Sequence, residues 1–167
     1  MNWVVEANKF APTLNVIQFG ANTRISDRTL SDKDLDGEET PVISSRQKLL
    51  DQLQPLDMLV CSYGLLQQDD VARMLSQVEW QTIVLDEAQA IKNLNTKRSQ
   101  AAMGLKGNFK LITTGTPIEN HLGELWNLFR FINPGLLGSF DSFNQRFSTP
   151  IEKHQDKQAR NKLKKLI

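Results

Sequence analysis

The 167-residue chain has a single cysteine, Cys61. A lone thiol excludes a disulfide framework and a cysteine-built zinc cluster within one chain, and it suits a reducing compartment. Long apolar runs are missing too. No stretch approaches the roughly 18 apolar residues of a membrane span, and the start, "MNWVVEANKFAP", lacks the basic-then-apolar pattern of a signal segment. A cytoplasmic protein with no membrane partner is expected, nucleoid-associated if bacterial. Charge of one sign is also absent: the formal net charge is +1, so no global basic field announces a nucleic-acid binder. One further absence bears on chemistry. The glycines stand at 20, 37, 64, 104, 107, 115, 123, 135 and 138. No two are spaced for G-x-x-x-x-G-K-[ST], so the chain holds no loop of that kind to cradle phosphates.

What is present is an ordinary globular mixture, 40% hydrophobic and 23% charged, in a chain long enough for one domain with a real core. Local charge is uneven. Residues 27–39 carry six acids and two bases, whereas residues 150–167 carry six bases and two acids. Both read first as solvated surface.

Apolar runs predict short strands at 14–20, 57–63, 80–86 and 109–115. Helical spacing and breakers predict helices at 2–10, 43–54, 65–77, 95–105, 118–132, 140–147 and 151–167. Leu122, Leu125, Trp126, Phe129 and Ile132 form the clearest apolar stripe and read as core. Residues 21–41 are polar and acidic, and read as a surface loop or flexible insertion. Strands alternating with helices predict an α/β fold, a parallel sheet covered on both faces.

Two stretches concentrate polar chemistry at strand ends, where ligands of open α/β sheets sit. In "TIVLDEAQAIKN" an apolar strand stops on Asp86 and Glu87. Mg²⁺ takes one or two carboxylates plus substrate phosphates, so one acid can serve the ion while the other orients a water. A strand that simply ends in a polar turn would look much the same. In "LITTGTPIEN" a second strand runs into Thr113, Thr114, Gly115 and Thr116. A capping box of Thr116, Pro117 and Glu119 accounts for part of it. It does not account for the other two threonines and the glycine, which would let the strand end approach a phosphate or a neighbouring carboxylate. Gln89, donor and acceptor at once, could bridge the two strand ends.

Taken together, "DEAQAIKN" and "LITTGTPIENHLGELWNLFRFINPGLLGSFDSFNQRFSTPIE", with "DMLVCSYGLL" before them, resemble the first RecA-like lobe of the Swi/Snf-type DNA-dependent ATPases of helicase superfamily two, in the bacterial-type branch. The likeness covers nearly the whole chain apart from about 21–55. It implies an ATP hydrolase that uses Mg²⁺ and ATP in the complete protein, translocating on double-stranded DNA with a second RecA-like lobe as partner. It also implies that the phosphate loop and its strand precede the "NW" block. The chain then looks like a fragment, inactive alone. Residues 1–138 would be an incomplete first lobe with a flexible insertion at 21–41, and 139–167 the start of a helical protrusion.

By the same resemblance, Asp86 holds the metal, Glu87 activates water, and Gln89 stands where many members have histidine. Thr114, Gly115 and Thr116 link nucleotide state to DNA grip. Ser62, Tyr63 and Lys92 are implied DNA contacts, with Cys61-Ser62 replacing a commoner threonine pair. The alternative is a DNA- or protein-binding module without catalysis, suggested by the basic stretch 150–167. A missing phosphate-loop strand would leave a sheet edge open to pair with a second copy of the chain.

Overall fold

A computed structural model describes residues 3–20, 42–115 and 121–167, without the side chains of residues 42–44. The acidic insertion at 21–41, and Thr116, Pro117 and Glu119 of the expected capping box, lie outside the described residues. The chain divides into two compact units, Met1–Met74 and Leu75–Ile167.

The first unit holds α1 (Trp3–Phe10), β1 (Asn15–Phe19), α2 (Val42–Asp51), β2 (Asp57–Cys61), α3 (Tyr63–Leu66) and the start of α4 (Asp69–Gln77). β1 and β2 run parallel, in register from Asn15 against Asp57 to Phe19 against Cys61. The Asp57 carboxylate fixes the entry to this ladder, accepting from Asn15 Nδ2 at 2.7 Å and from the Gln54 amide at 2.8 Å. Phe19, Leu49, Leu50, Leu66 and Val71 are buried in this unit. The helix expected over 65–77 is two helices. Ser62 caps the first, its Oγ accepting from the Leu65 amide at 3.2 Å. Asp69 and Asp70 then open α4, where carboxylates suit the positive end of a helix.

The second unit contains β3 (Glu79–Leu85), a 3-10 turn (Ala88–Ile91), α5 (Lys97–Gly104), β4 (Lys106–Ile112) and α6 (Leu122–Ile132). After them come α7 (Phe140–Phe143), a wider π turn (Asn144–Ser148), α8 (Thr149–His154) and α9 (Lys157–Leu166). β3 and β4 are parallel, paired from Glu79 against Lys106 to Leu85 against Ile112. β4 begins three residues earlier than the apolar run 109–115 suggested. Its first residues are Lys106, Gly107 and Asn108, none of them hydrophobic; the first two pair with β3 and the third donates from Nδ2 to Gln81 Oε1 at 3.2 Å.

The strands are parallel as expected, and in each unit the described residues form one two-stranded sheet. In the second unit, the described residues bury the two sides of the strand pair unequally. Ile83 and Leu85 are buried, while their neighbours Val84, Phe109 and Leu111 are 48%, 57% and 43% exposed. The reason is the period of two along a strand. Lys110, one residue from both Phe109 and Leu111, sets its ammonium 4.8 Å from the centre of the Phe131 ring of α6. The alternate side chains are the exposed ones.

α6 begins at Leu122, whose amide donates to the Glu152 carboxylate at 2.5 Å, while His121 at the cap position makes no side-chain cap bond. Its Leu125 and Trp126 join Leu137, Phe143, Phe147 and Leu163 in one apolar cluster. Trp126 meets Phe140 edge-on at 5.2 Å and donates from Nε1 to the Gly138 carbonyl at 3.1 Å. The helix expected over 151–167 breaks at Gln155, which turns left-handed with φ 52°. Asp156 restarts it by accepting from the Gln158 and Ala159 amides.

Candidate functional site

β3 ends at Leu85 and β4 at Ile112, side by side, so Asp86 and Thr113 follow at the same rim. The ladder continues past both ends. The Thr113 amide donates to the Leu85 carbonyl and the Ala88 amide to the Thr113 carbonyl, each at 2.9 Å. Ala88 and Ile91 of the 3-10 turn are fully buried, and they seat the turn against the core. The small side chain at 88 and the large one at 91 are what such a seat requires.

This seat brings the two chemical stretches into contact. Thr113 Oγ1 donates to Asp86 Oδ1 at 2.6 Å. Thr114 Oγ1 donates to Gln89 Oε1 at 2.8 Å, and Gln89 Nε2 donates to Glu87 Oε2 at 2.7 Å. Gln89 therefore bridges the two strand ends. Its amide can lie only one way round, because a carboxylate accepts and cannot donate.

Glu87 is exposed and left-handed, with φ 51° and ψ 51°. A non-glycine residue held there costs about 1–3 kcal/mol, and such strain clusters at functional sites. The conformation points the chain sharply into the turn and leaves the carboxylate at the rim. A carboxylate offers about four lone-pair sites, so the Gln89 bond leaves Glu87 with capacity to accept from a water. Asp86 and Glu87 together match the one or two carboxylates that a phosphate-borne Mg²⁺ takes, so these residues fit that ion. Gly115 follows the threonines, exposed, and a Cβ built there would meet nothing within 4 Å. Thr116 lies outside the described residues.

The remaining expected residues stand elsewhere. Lys92 closes the 3-10 turn, and its ammonium lies 3.9 Å from the Glu124 carboxylate of α6. A DNA contact by Lys92 would be made alongside that pair. Ser62 is exposed at the C-terminal end of β2, and Tyr63, half-buried, opens α3. Both belong to the first unit.

Two buried polar residues next to the site went unseen in the sequence, Glu124 and Asn127. Asn127 Nδ2 donates to the Ile91 carbonyl at 2.5 Å and to Ser99 Oγ at 2.7 Å. Polar residues three apart beside an apolar stripe also describe a solvated face, so spacing alone carried no signal for them.

A model of the SNF2-related domain matches residues 1–167. The YwqA protein of Bacillus subtilis (strain 168) is 48% identical over 111 residues, which is 66% of this chain and 12% of that protein. The chromatin-remodeling ATPase INO80 of Saccharomyces cerevisiae (strain ATCC 204508 / S288c) is 36% identical over 156 residues, 93% of this chain and 10% of its own length. Among solved structures, the Sulfolobus solfataricus SWI2/SNF2 ATPase core in complex with dsDNA is similar with a TM-score of 0.75 and 38% identity, over 99% of this chain and 29% of that one. The Sulfolobus solfataricus SWI2/SNF2 ATPase core domain is similar with a TM-score of 0.69 and 37% identity, over 99% of this chain and 28% of that one. The chain thus spans about a tenth of the length of the curated relatives it matches.

Proposed function

The chain belongs to the SNF2-related domain family, and from that premise we propose that it is part of the first RecA-like lobe of an ATP-dependent motor that moves on double-stranded DNA. The observation that supports this most directly is the hydrogen-bonded rim in which Thr113 holds Asp86 and Thr114 reaches Glu87 through Gln89. Bound Mg²⁺ would neutralise charge on the triphosphate, with Asp86 as its carboxylate partner on this chain. Glu87 orients the attacking water and accepts its proton. Gln89 fixes the Glu87 carboxylate, so that the water is held in one place, and ties that place to Thr114. A shift of the strand end at Thr114 and Gly115 then alters the position of Glu87, with Thr116 the third member of the coupling motif. Nucleotide state and DNA grip become coupled through one amide.

In this reading the DNA backbone is met by Ser62 and Tyr63, by contacts to phosphates that carry no base sequence. A second RecA-like lobe of the same protein closes over the rim. Residues 139–167 are the start of a helical protrusion, and the working compartment is the cytoplasm. The isolated 167-residue chain, with no G-x-x-x-x-G-K-[ST] loop, lacks the positioning that phosphoryl transfer depends on and does not turn over ATP. One observation favours the other reading, a binding module. α9 buries Ala159 and Leu163 and leaves Lys157, Arg160, Lys162, Lys164 and Lys165 exposed.

The deciding experiment measures ATP hydrolysis by the full-length protein with and without duplex DNA. DNA-stimulated turnover is expected, and Glu87→Gln should lower kcat by about a hundredfold or more, since a general base contributes 10²–10⁴-fold. DNA retention with no turnover in the full-length protein would leave the binding module as the better reading.

A further inference from the structure

The turn that carries Glu87 and Gln89 is held from behind by α6, at two side chains three residues apart on one face of that helix. Asn127 is fully buried. Its Nδ2 grips the last carbonyl of the turn, that of Ile91, at 2.5 Å. The same amide nitrogen reaches Ser99 Oγ at 2.7 Å. Ser99, also fully buried, sits in the first turn of α5, where its amide is capped by Thr96 Oγ1 at 3.2 Å. Glu124, buried, holds Lys92 one residue beyond Ile91. The amide of Asn127 cannot be reversed, because its oxygen would then face the Ile91 carbonyl, two acceptors with no proton between them.

Ile91 and Glu87 are the two ends of one short stretch of backbone. The Ala90 amide donates to the Glu87 carbonyl at 3.0 Å and the Lys92 amide to the Gln89 carbonyl at 3.2 Å. A stretch this short is nearly rigid, so fixing Ile91 fixes where Glu87 emerges. Glu87 sits left-handed and would relax if the surroundings did not hold it. We propose that Asn127 is a positioning residue for ATP hydrolysis: by holding the Ile91 carbonyl it keeps the turn wound and Glu87 in its reactive place. This deepens the proposed function and rests on it.

The acceptor side of Asn127 suggests a usable variant. Its Oδ1 is buried with no hydrogen-bond partner, so an apolar side chain of similar size removes one unsatisfied group while losing the grip. Asn127→Leu keeps the branched heavy-atom skeleton, with two methyl groups in place of the amide oxygen and nitrogen. Asn127→Asp keeps the shape and reverses the hydrogen-bond polarity at Ile91 when ionised. Leu128→Ala, one residue along the same helix and almost wholly buried, is expected to destabilise α6 while removing no hydrogen bond to the turn, since leucine carries no polar side-chain atom.

The test is steady-state ATPase kinetics on the full-length protein with saturating duplex DNA, with thermal melting measured alongside. Asn127→Leu should lower kcat by about 10- to 100-fold, the loss expected when a reacting group moves by about an ångström, with KM for ATP within about twofold. Leu128→Ala should lower the melting temperature at least as much and leave kcat within about twofold. Asn127→Asp should recover as pH falls. Burial raises the pKa of the new carboxyl, and once protonated it can donate to the Ile91 carbonyl as the amide did.

Two results would overturn the proposal. One is an Asn127→Leu protein that melts normally and keeps its kcat. The other is kinetic loss that follows melting temperature equally in Asn127→Leu and Leu128→Ala, with no pH recovery in Asn127→Asp. If wild type turns over and Glu87→Gln does not, either result removes the positioning role and leaves the ATPase reading intact. If wild type itself shows no turnover, the ATPase reading fails and the positioning role falls with it.

Discussion

Cys61 ends β2 one residue before Ser62, a proposed DNA contact, and its environment sets how it behaves in alkali. Burial, only partly offset by the Arg46 guanidinium, pushes its thiol from the ordinary 9.0 up to about 11. Unfolding frees the thiol to ionise near its ordinary value, so between these two pH values the unfolded chain binds fewer protons than the folded one. Stability therefore falls as pH rises through that window. The contribution is fully present below pH 9.0 and lost as pH passes about 11. Urea midpoints taken from neutral pH to pH 10.5 should decline more steeply for wild type than for Cys61→Ser, which has no thiol to ionise; parallel declines would refute the assignment. The same burial makes native Cys61 slow toward alkylating reagents at pH 8, because only the thiolate attacks.

At the scale of elements, β4 owes its place beside β3 to the missing side chain at Gly107. A Cβ there would stand 2.7 Å from Ile83 Cδ1 and 2.9 Å from Ile83 Cγ1. Ile83 is buried and cannot swing into solvent. Gly107→Ala is expected to cost about 1–3 kcal/mol, as overpacking usually does, against the gain that alanine normally brings to a strand glycine. In an Ile83→Ala background the same change should cost much less, and a double-mutant cycle by urea denaturation reads the coupling. An additive cycle would show that the contact is not the cause.

This glycine also marks what the sequence could tell. Strands over 14–20, 80–86 and 109–115 were legible because β-branched and other apolar residues run together, and Asp86, Glu87 and the threonines stood out because polar groups interrupt such runs. The polar start of β4 was hidden, since Lys106 and Gly107 pair through backbone groups that any residue supplies. The split of 65–77 was hidden for a related reason: Ser62 and the Asp69–Asp70 pair act through capping geometry, which an apolar period does not register. Within the site, the Gln89 bridge could be anticipated from its two-sided amide, while the Asn127 grip on Ile91 depends on two helices meeting far apart in sequence.

For the molecule as a whole, the exposed apolar residues of the second unit's sheet raise the question of association. Val84, Phe109 and Leu111 lie together on it, all exposed, with Val84 paired directly against Leu111. Contiguous apolar groups of this kind on a soluble chain usually meet a partner. Within the described sheet β4 pairs with β3 alone, so its other edge meets no strand there, and parallel sheets are normally buried on both sides. A net charge of +1 gives two copies little electrostatic reason to stay apart. The isolated chain is therefore expected to self-associate through the exposed apolar residues of this sheet. Sedimentation velocity over a wide concentration range should show a monomer passing into a dimer, strengthened by sulfate, which favours apolar burial. Phe109→Lys places a charge on an already exposed position, so it should leave the fold intact and shift the equilibrium to monomer. A chain that stays monomeric at every concentration, or a Phe109→Lys variant that associates as well as wild type, would place the contact elsewhere or remove it.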